Sequence, residues 1–273
     1  DFDSFIKLLK KHPDINIFPG VNTLFNALLH KPEFLSVKLP NLLATIGGGM
    51  AMQKIVADHW QEVTGAPIAE GYGLSETSPV ACVNSPLIER FTGYIGLPVP
   101  STEVAILNDD GIEVPFGTAG EICIRGPQVM AGYWNKPEET RNVMTADGFF
   151  KSGDIGIMNE EGYTKIVDRK KDMIISGGFN VFPSDIEPIV AQHPHVFDVA
   201  VIGVEHARWG EAAFALVIPR EGESVDAEAI RQWANARLAK PQQLVGVEFR
   251  KEFPRNALGK VLKRLLRDVK GSP

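Results

Sequence analysis

The sequence predicts a mixed fold, α/β in its first part, β-rich in the middle and α+β at the end. Three observations carry this. Short apolar strands alternate with helix-period segments over roughly the first seventy residues. From about Tyr94 the chain turns into a series of short strands divided by turn signals, and from about Asp168 strands and helices alternate again over about 100 residues. At 273 residues the chain is long enough for one large domain or two ordinary ones, at roughly 100–200 residues each.

Taken in order, DFDSFIKLLKKHPDINIF reads as an amphipathic helix followed by a short strand. Leu42 to Ile46 is a strand-type run ended by Gly47-Gly48-Gly49. In AMQKIVADHWQEVTG, Met52, Ile55, Val56, Trp60 and Val63 recur at helical spacing, and Gly65 supplies the stop. Ile68-Ala69-Glu70 is a further short strand running into Gly71-Tyr72-Gly73. The middle series is EVAIL (103–107), EICIRG (121–126), GDIGIM (153–158) and YTKIVD (163–168). Asn108-Asp109-Asp110-Gly111 and Asn159-Glu160-Glu161-Gly162 mark turns. This texture fits a small β-barrel or sandwich, interrupted by one helix near Pro137–Val143. The last part reads as strand 173–175, a glycine turn, helix 183–191, strands 197–204 and 212–219, helix 226–239, strand 246–249 and a basic helix 261–269. No internal repeat or low-complexity stretch appears.

Composition narrows the function. Hydrophobic residues are 44% and charged residues 23%, so the chain can bury a core. A net charge of −6 argues against a general nucleic-acid binder, which needs a basic face. It leaves phosphate ligands open, because a few cations and backbone amides hold them locally. Cys82 and Cys123 sit in apolar runs without metal spacing and read as buried thiols in a reduced cytosol. The six histidines show no ligand spacing. No apolar run approaches the roughly 18–20 residues of a membrane span, and no signal peptide is visible. The abrupt opening at Asp1 rather than Met leads us to expect a fragment.

The densest chemistry lies in Glu70-Gly71-Tyr72-Gly73-Leu74-Ser75-Glu76-Thr77. Its glycines let the backbone approach a ligand, its hydroxyls can donate to phosphate, and a carboxylate beside them can share Mg²⁺ with substrate phosphates. From the residues alone this is a nucleotide loop or an ordinary strand-end turn in equal measure.

GYGLSET (71–77), GPQVMAGYWNKPEET (126–140), FKSGD (150–154), DRKKDMIISGGFNVFPSDIE (168–187) and PRNALGK (254–260) occur in this order. Together they resemble the adenylate-forming superfamily of acyl-CoA synthetases, luciferases and peptide-synthetase adenylation domains, with a texture nearest the bacterial long-chain fatty acid–CoA ligases. The resemblance runs from about residue 40 to 268. It implies part of a large N-terminal lobe, with 1–92 as α/β and 93–168 as a β-barrel-like subdomain, followed by a small mobile α+β domain at 169–273.

The resemblance also implies roles. Tyr72, with Gly73, would lie against adenine, Glu76 would bind Mg²⁺, and Thr77 would hydrogen-bond the AMP phosphate. The Gly47-Gly48-Gly49 run would form the adenine-side loop and leave room for the acyl chain. Asp154 would accept both ribose hydroxyls and Arg169 would reach ribose or phosphate. Lys171 matches the hinge, Gly177 and Gly178 match the loop lining the tunnel for the pantetheine arm of coenzyme A, and Lys260 matches the catalytic lysine. Lys263, Arg264 and Arg267 carry no implied catalytic role and read as complements to a helix end.

The implied reaction joins a fatty acid to coenzyme A at the expense of ATP, through acyl-AMP. The family's Ser/Thr/Gly-rich phosphate loop ending in Pro-Lys-Gly is not found before Gly47, which adds to the expectation of a fragment that does not turn over alone. The alternatives are a fatty-acyl-AMP ligase serving a carrier protein, and a non-catalytic fragment that binds nucleotide or coenzyme A. A lipase-like hydrolase is excluded by the lack of a G-x-S-x-G elbow. The expected setting is cytoplasmic. The fatty substrate leaves a peripheral contact at the inner membrane face open, and the family leaves a homodimer open.

Overall fold

A computed structural model describes residues 1–220, 226–256 and 259–268. The chain forms two compact units that divide between Ile166 and Val167. The sequence reading put the boundary two residues later, between 168 and 169.

The first unit opens with α1 (Phe2–Lys11), capped by the Asp1 side chain, then β1 (Ile17–Gly20), α2 (Asn22–Leu29), α3 (Pro32–Leu35), β2 (Ala44–Gly47) and α4 (Lys54–Thr64). Next come β3 (Ile68–Gly73), β4 (Val80–Val83) and β5 (Leu97–Pro98). These strands make one sheet in the order β1-β2-β3-β4-β5, parallel through β3 and antiparallel beyond it. Helices pack on it through an aromatic cluster around the fully buried Trp60. Phe25 meets Trp60 edge-on at 4.7 Å between ring centroids, Phe34 stacks at 5.4 Å, and the indole N–H donates to Thr45 Oγ1 at 2.9 Å. Gly65 caps α4 in the left-handed region, at φ 78°. Ile55, expected on the apolar face of this helix, points outward instead and is 77% exposed. The core side of α4 is made by Val56, Ala57 and Trp60.

A second sheet of the first unit uses β6 (Glu103–Leu107), β7 (Gly120–Arg125) and β8 (Phe150–Met158), with α5 (Pro137–Val143) before β8. β9 (Thr164–Arg169) carries the chain across the boundary between the units. In the region expected from sequence to be barrel-like the strand order is β6-β7-β8-β9, with β6–β7 and β7–β8 antiparallel. Cys82 and Cys123 are both buried, and burial pushes the Cys82 thiol up to about 12.

The second unit contains β10 (Ile174–Ser176), β11 (Phe179–Val181), α6 (Pro183–Ala191), β12 (Val196–His206), β13 (Gly210–Pro219), α7 (Ala227–Asn235), β14 (Leu244–Phe249) and α8 (Lys263–Asp268). Its sheet runs β11-β10-β13-β12, with β14 parallel to β13. Strand alternation sorts the core by face. Val201, Ala213, Ala215 and Val217 cluster with Ile186 and Val190 of α6 and Ile230 and Ala234 of α7. Ala200, Ile202 and Leu216 cluster with Leu266 of α8 and Phe253. No helix among the described residues is long and apolar enough to cross a membrane.

Candidate nucleotide site

The glycine run and the GYG segment are neighbours because they end adjacent parallel strands. Gly47 on β2 pairs with Glu70 on β3, and a methyl group placed on Gly48 would lie 3.2 Å from the Gly71 carbonyl oxygen. The C-terminal ends of parallel strands are where α/β folds place ligands. Beyond β3 the chain makes a 3₁₀ turn, Ser75–Thr77. Gly73 cannot be anything else here: a β-carbon on it would sit 1.6 Å from the Pro79 carbonyl oxygen.

Tyr72 is 8% exposed and lies in a core cluster with Ala81, Cys82 and Ile95. Its hydroxyl donates to Asp154 Oδ2 at 2.7 Å. Asp154, 5% exposed, stands in the middle of β8, where its N–H is accepted by Ser152 Oγ at 3.1 Å. Glu76, three residues after Gly73, accepts the Tyr133 hydroxyl on Oε1 at 2.8 Å, and its carbonyl accepts the Met130 N–H at 2.8 Å. Burial and the adjacent Glu76 carboxylate raise the Tyr133 hydroxyl above its ordinary value. The residue 126–140 motif thus fastens onto the GYGLSET turn, and the same short segment meets Asp154 through Tyr72.

The two hydroxyls of the turn have different surroundings. Thr77 is 0% exposed; its Oγ1 accepts the Leu74 N–H at 2.9 Å and lies 2.6 Å from the Pro79 carbonyl that it donates to. Its hydroxyl is engaged in shaping the turn. Ser75 is exposed and is the hydroxyl presented outward, a distinction that residue type alone does not make.

Glu70 is a further residue that the motif reading passed over. Its Oε2 is buried without a hydrogen-bond partner, and desolvation pushes the carboxyl up to about 7, opposed by the Met52 N–H. A buried acceptor between the Gly47–Gly49 run and the GYG segment is suited to a donor arriving with a ligand.

Glu76 fits a shared cation. Among the described residues no group of three His, Cys, Asp or Glu could hold a metal, which leaves no all-protein cage. Mg²⁺ takes one or two carboxylates and completes its shell with water and phosphate oxygens, so one carboxylate on a turn with an outward hydroxyl matches that habit.

The remaining motif residues lie in the second unit and are described within it. Arg169 ends β9, and its N–H donates to Asp168 Oδ1 at 2.7 Å. Lys171 is the exposed middle residue of a 3₁₀ turn, Lys170–Asp172. Gly177 (φ 58°) and Gly178 (φ 85°) form the two-residue turn of the β10–β11 hairpin, with Ser176 paired to Phe179. Left-handed values at both positions explain two glycines, and nothing lies within 4 Å of a β-carbon on Gly178, so backbone angle rather than crowding selects it there. Lys260 is exposed, and its N–H donates to Asn256 Oδ1 at 2.9 Å. Ala257 and Leu258 of PRNALGK lie outside the described residues.

A glycine run packed against a GYG strand end, an acidic turn and a buried aspartate facing the tyrosine define a nucleotide-binding type of site. Residues 1–134 match the model of the AMP-binding enzyme and residues 185–260 that of the AMP-binding enzyme C-terminal domain; the chain belongs to this family. It is 45% identical over 268 residues to a long-chain-fatty-acid–CoA ligase of Escherichia coli O6:H1, covering 98% of this chain and 47% of the relative. The chain spans about half the length of the curated relatives it matches. Among solved structures, ATP-bound MatB from Rhodopseudomonas palustris superposes with a TM-score of 0.88 at 33% identity, over 98% of this chain and 53% of that one. o-Succinylbenzoate CoA synthetase from Bacillus subtilis, in complex with its acyl-adenylate intermediate, gives 0.82 at 28% identity, over 98% and 54%.

Proposed function

We propose that this chain supplies the nucleotide-monophosphate and thiol-transfer portion of an ATP-dependent acyl-CoA ligase acting on fatty acids. The observation that carries the reading is the Tyr72–Asp154 hydrogen bond, which brings the acceptor suited to ribose hydroxyls onto the segment that ends in Glu76. Likeness to a long-chain-fatty-acid–CoA ligase over nearly the whole chain supports the substrate class.

In the first step a fatty carboxylate oxygen attacks the α-phosphorus of ATP, the bond to the β-phosphate oxygen breaks, and pyrophosphate leaves. Asp154 fixes the ribose, Ser75 and the backbone of the 71–77 turn face the phosphate, and Glu76 would hold Mg²⁺, which would supply charge neutralisation at the phosphate oxygens. Lys260 brings a cation to the charge that develops between carboxylate and phosphate. In the second step the thiol of coenzyme A, losing its proton, attacks the acyl carbon, and AMP leaves with its bonding pair. The two steps place different demands on one site, which a pivot of the second unit near Lys171 meets by exchanging Lys260 for the Gly177–Gly178 hairpin.

Calorimetry with AMP and a non-hydrolysable acyl-adenylate tests this. We expect binding by the chain and its loss in Asp154→Ala with the fold retained; absence of binding by the unaltered chain overturns the reading. Pyrophosphate exchange by the isolated chain is expected to be undetectable, because no counterpart of the triphosphate loop occurs in it. Offering coenzyme A and an acyl carrier protein as acceptors to the longer enzyme distinguishes the thiol.

A further inference from the structure

The described residues on either side of Lys260 are held by basic side chains. On the arm leading in, the Arg255 guanidinium pairs with the Asp198 carboxylate on β12, and its other nitrogen donates to the Gly259 carbonyl at 2.6 Å. Across the loop Arg255 bridges to Val261, and the Asn256 N–H donates to the Lys260 carbonyl at 2.9 Å. On the arm leading out, Lys263 Nζ meets Glu187 Oε1 of α6 at 2.7 Å, with 15% and 25% of the two side chains exposed. One turn further, Arg267 meets Asp172 Oδ1 at 2.6 Å. Asp172 closes the 3₁₀ turn that carries Lys171.

These contacts replace the expectation that Lys263 and Arg267 only complement a helix end. Lys263 is the first residue of α8, where the helix dipole disfavours a cation. Its place is set by Glu187. Both pairs are mostly shielded from solvent, so cutting one leaves a poorly hydrated charge rather than a screened surface ion.

We infer that Arg255, Lys263 and Arg267 are positioning residues that mount Lys260 on the turn at Lys171, through Asp198, Glu187 and Asp172. Rotation at that turn then carries Lys260 as a rigid arm, because α8 is tied to the turn itself. The inference rests on the proposed role of Lys260 for its functional meaning, but the mount can be measured without ligand.

The test is amide hydrogen exchange of the whole chain, followed by NMR. The probes are the Lys260 and Leu262 amides, which donate to Asn256 Oδ1 and to the Pro254 carbonyl. In Arg267→Gln and in Lys263→Gln these two amides are expected to exchange about tenfold faster while Ile202 and Leu216 in the central strands keep their rates. Arg267→Lys and the exchanged pair Asp172→Arg/Arg267→Asp are expected to recover most of the protection. Unchanged Lys260 exchange in both single variants overturns the mount. So does acceleration shared equally by the central strands, which would mean general destabilisation. Should Arg267→Gln not fold, the exchanged pair decides: protected amides in it support the mount, and exposed ones overturn it. AMP binding by the unaltered chain, measured beside exchange, separates the two readings: its absence while Lys260 exchange still accelerates in the variants counts against the proposed function alone.

Discussion

Tyr72 and Asp154, 82 residues apart in the chain, are joined by a hydrogen bond of 2.7 Å in a buried setting. The bond links the strand of the GYGLSET motif to the middle of the FKSGD strand, so two motifs that are separate in sequence act as one structural element. The Tyr72 ring is packed into the core with Ala81 and Cys82, and its hydroxyl is engaged by Asp154.

Tyr72→Phe retains the packing and removes the donor. A hydrogen bond to a charged acceptor is worth roughly 1.5–3 kcal/mol, and a loss of this order is expected in urea unfolding. AMP affinity is expected to fall as well, because Asp154 loses a group that orients it. Unchanged stability and affinity in this variant would remove the basis for treating the two motifs as one element.

The turn that follows separates two hydroxyls by function. Thr77→Val keeps the shape and leaves the Leu74 N–H without its acceptor; an unsatisfied buried donor costs about 1–3 kcal/mol. Ser75→Ala, at an exposed site, is expected to stay within about 0.5 kcal/mol of the unaltered chain and to weaken binding of Mg²⁺ with nucleotide. Thermal unfolding and calorimetry on the two variants check the split. The opposite pattern would return the phosphate contact to Thr77, as the motif resemblance implied.

Motif positions with a backbone reason were the most legible in the sequence. Gly73 and the Gly177-Gly178 pair are required by a close approach and by left-handed angles, and such demands show as glycines whatever the neighbours are. Partners across the chain were not legible: Tyr133 reaches Glu76 over 57 residues, and no local pattern announces it. Short elements were lost for a related reason. β11 is three residues long with Phe179 exposed, so it carries no alternation to read. The basic helix expected from residue 261 begins at Lys263, because Val261 is taken up in the bridge to Arg255. Helix α7 stops at Asn235, whose side chain turns to the β14 backbone, accepting the Leu244 N–H at 2.7 Å, rather than running to 239.

Glu70 gives stability a pH dependence with a definite sign. Its carboxyl is raised from an ordinary 4.5 to about 7 by desolvation, so between these values the folded chain binds more protons than the unfolded one. Stability attributable to this group is therefore full below about 4.5 and declines as pH rises toward 7. The ionised form costs on the order of 3 kcal/mol. Glu70→Gln is expected to flatten that decline and to raise the melting temperature at pH 8 more than at pH 5. A ligand that donates to the buried Oε2 would favour the ionised form, and AMP binding would then be tighter in the unaltered chain at pH 8 than in the variant.

Tyr133 offers a last separation, between holding a carboxylate and holding the fold. Its hydroxyl engages Glu76 Oε1, which on the proposed role would leave Oε2 for the cation, while its backbone N–H is accepted by Thr140 Oγ1 at 2.9 Å and keeps the loop in place without the hydroxyl. The Tyr133–Glu76 bond is only partly buried, unlike the Tyr72–Asp154 bond, so Tyr133→Phe should cost less stability than Tyr72→Phe. Binding of Mn²⁺ with nucleotide, followed by electron paramagnetic resonance, should weaken about tenfold, the lower end of the roughly 10–100-fold lost when a partner that orients a metal ligand is removed. Glu76→Gln should weaken it further, and the double variant should behave like Glu76→Gln alone, because the tyrosine acts through that carboxylate. Additive losses would show that Tyr133 meets the nucleotide by itself. Tighter binding in Tyr133→Phe would mean that the hydroxyl competes with the cation for Oε1 instead of aiming the carboxylate toward it.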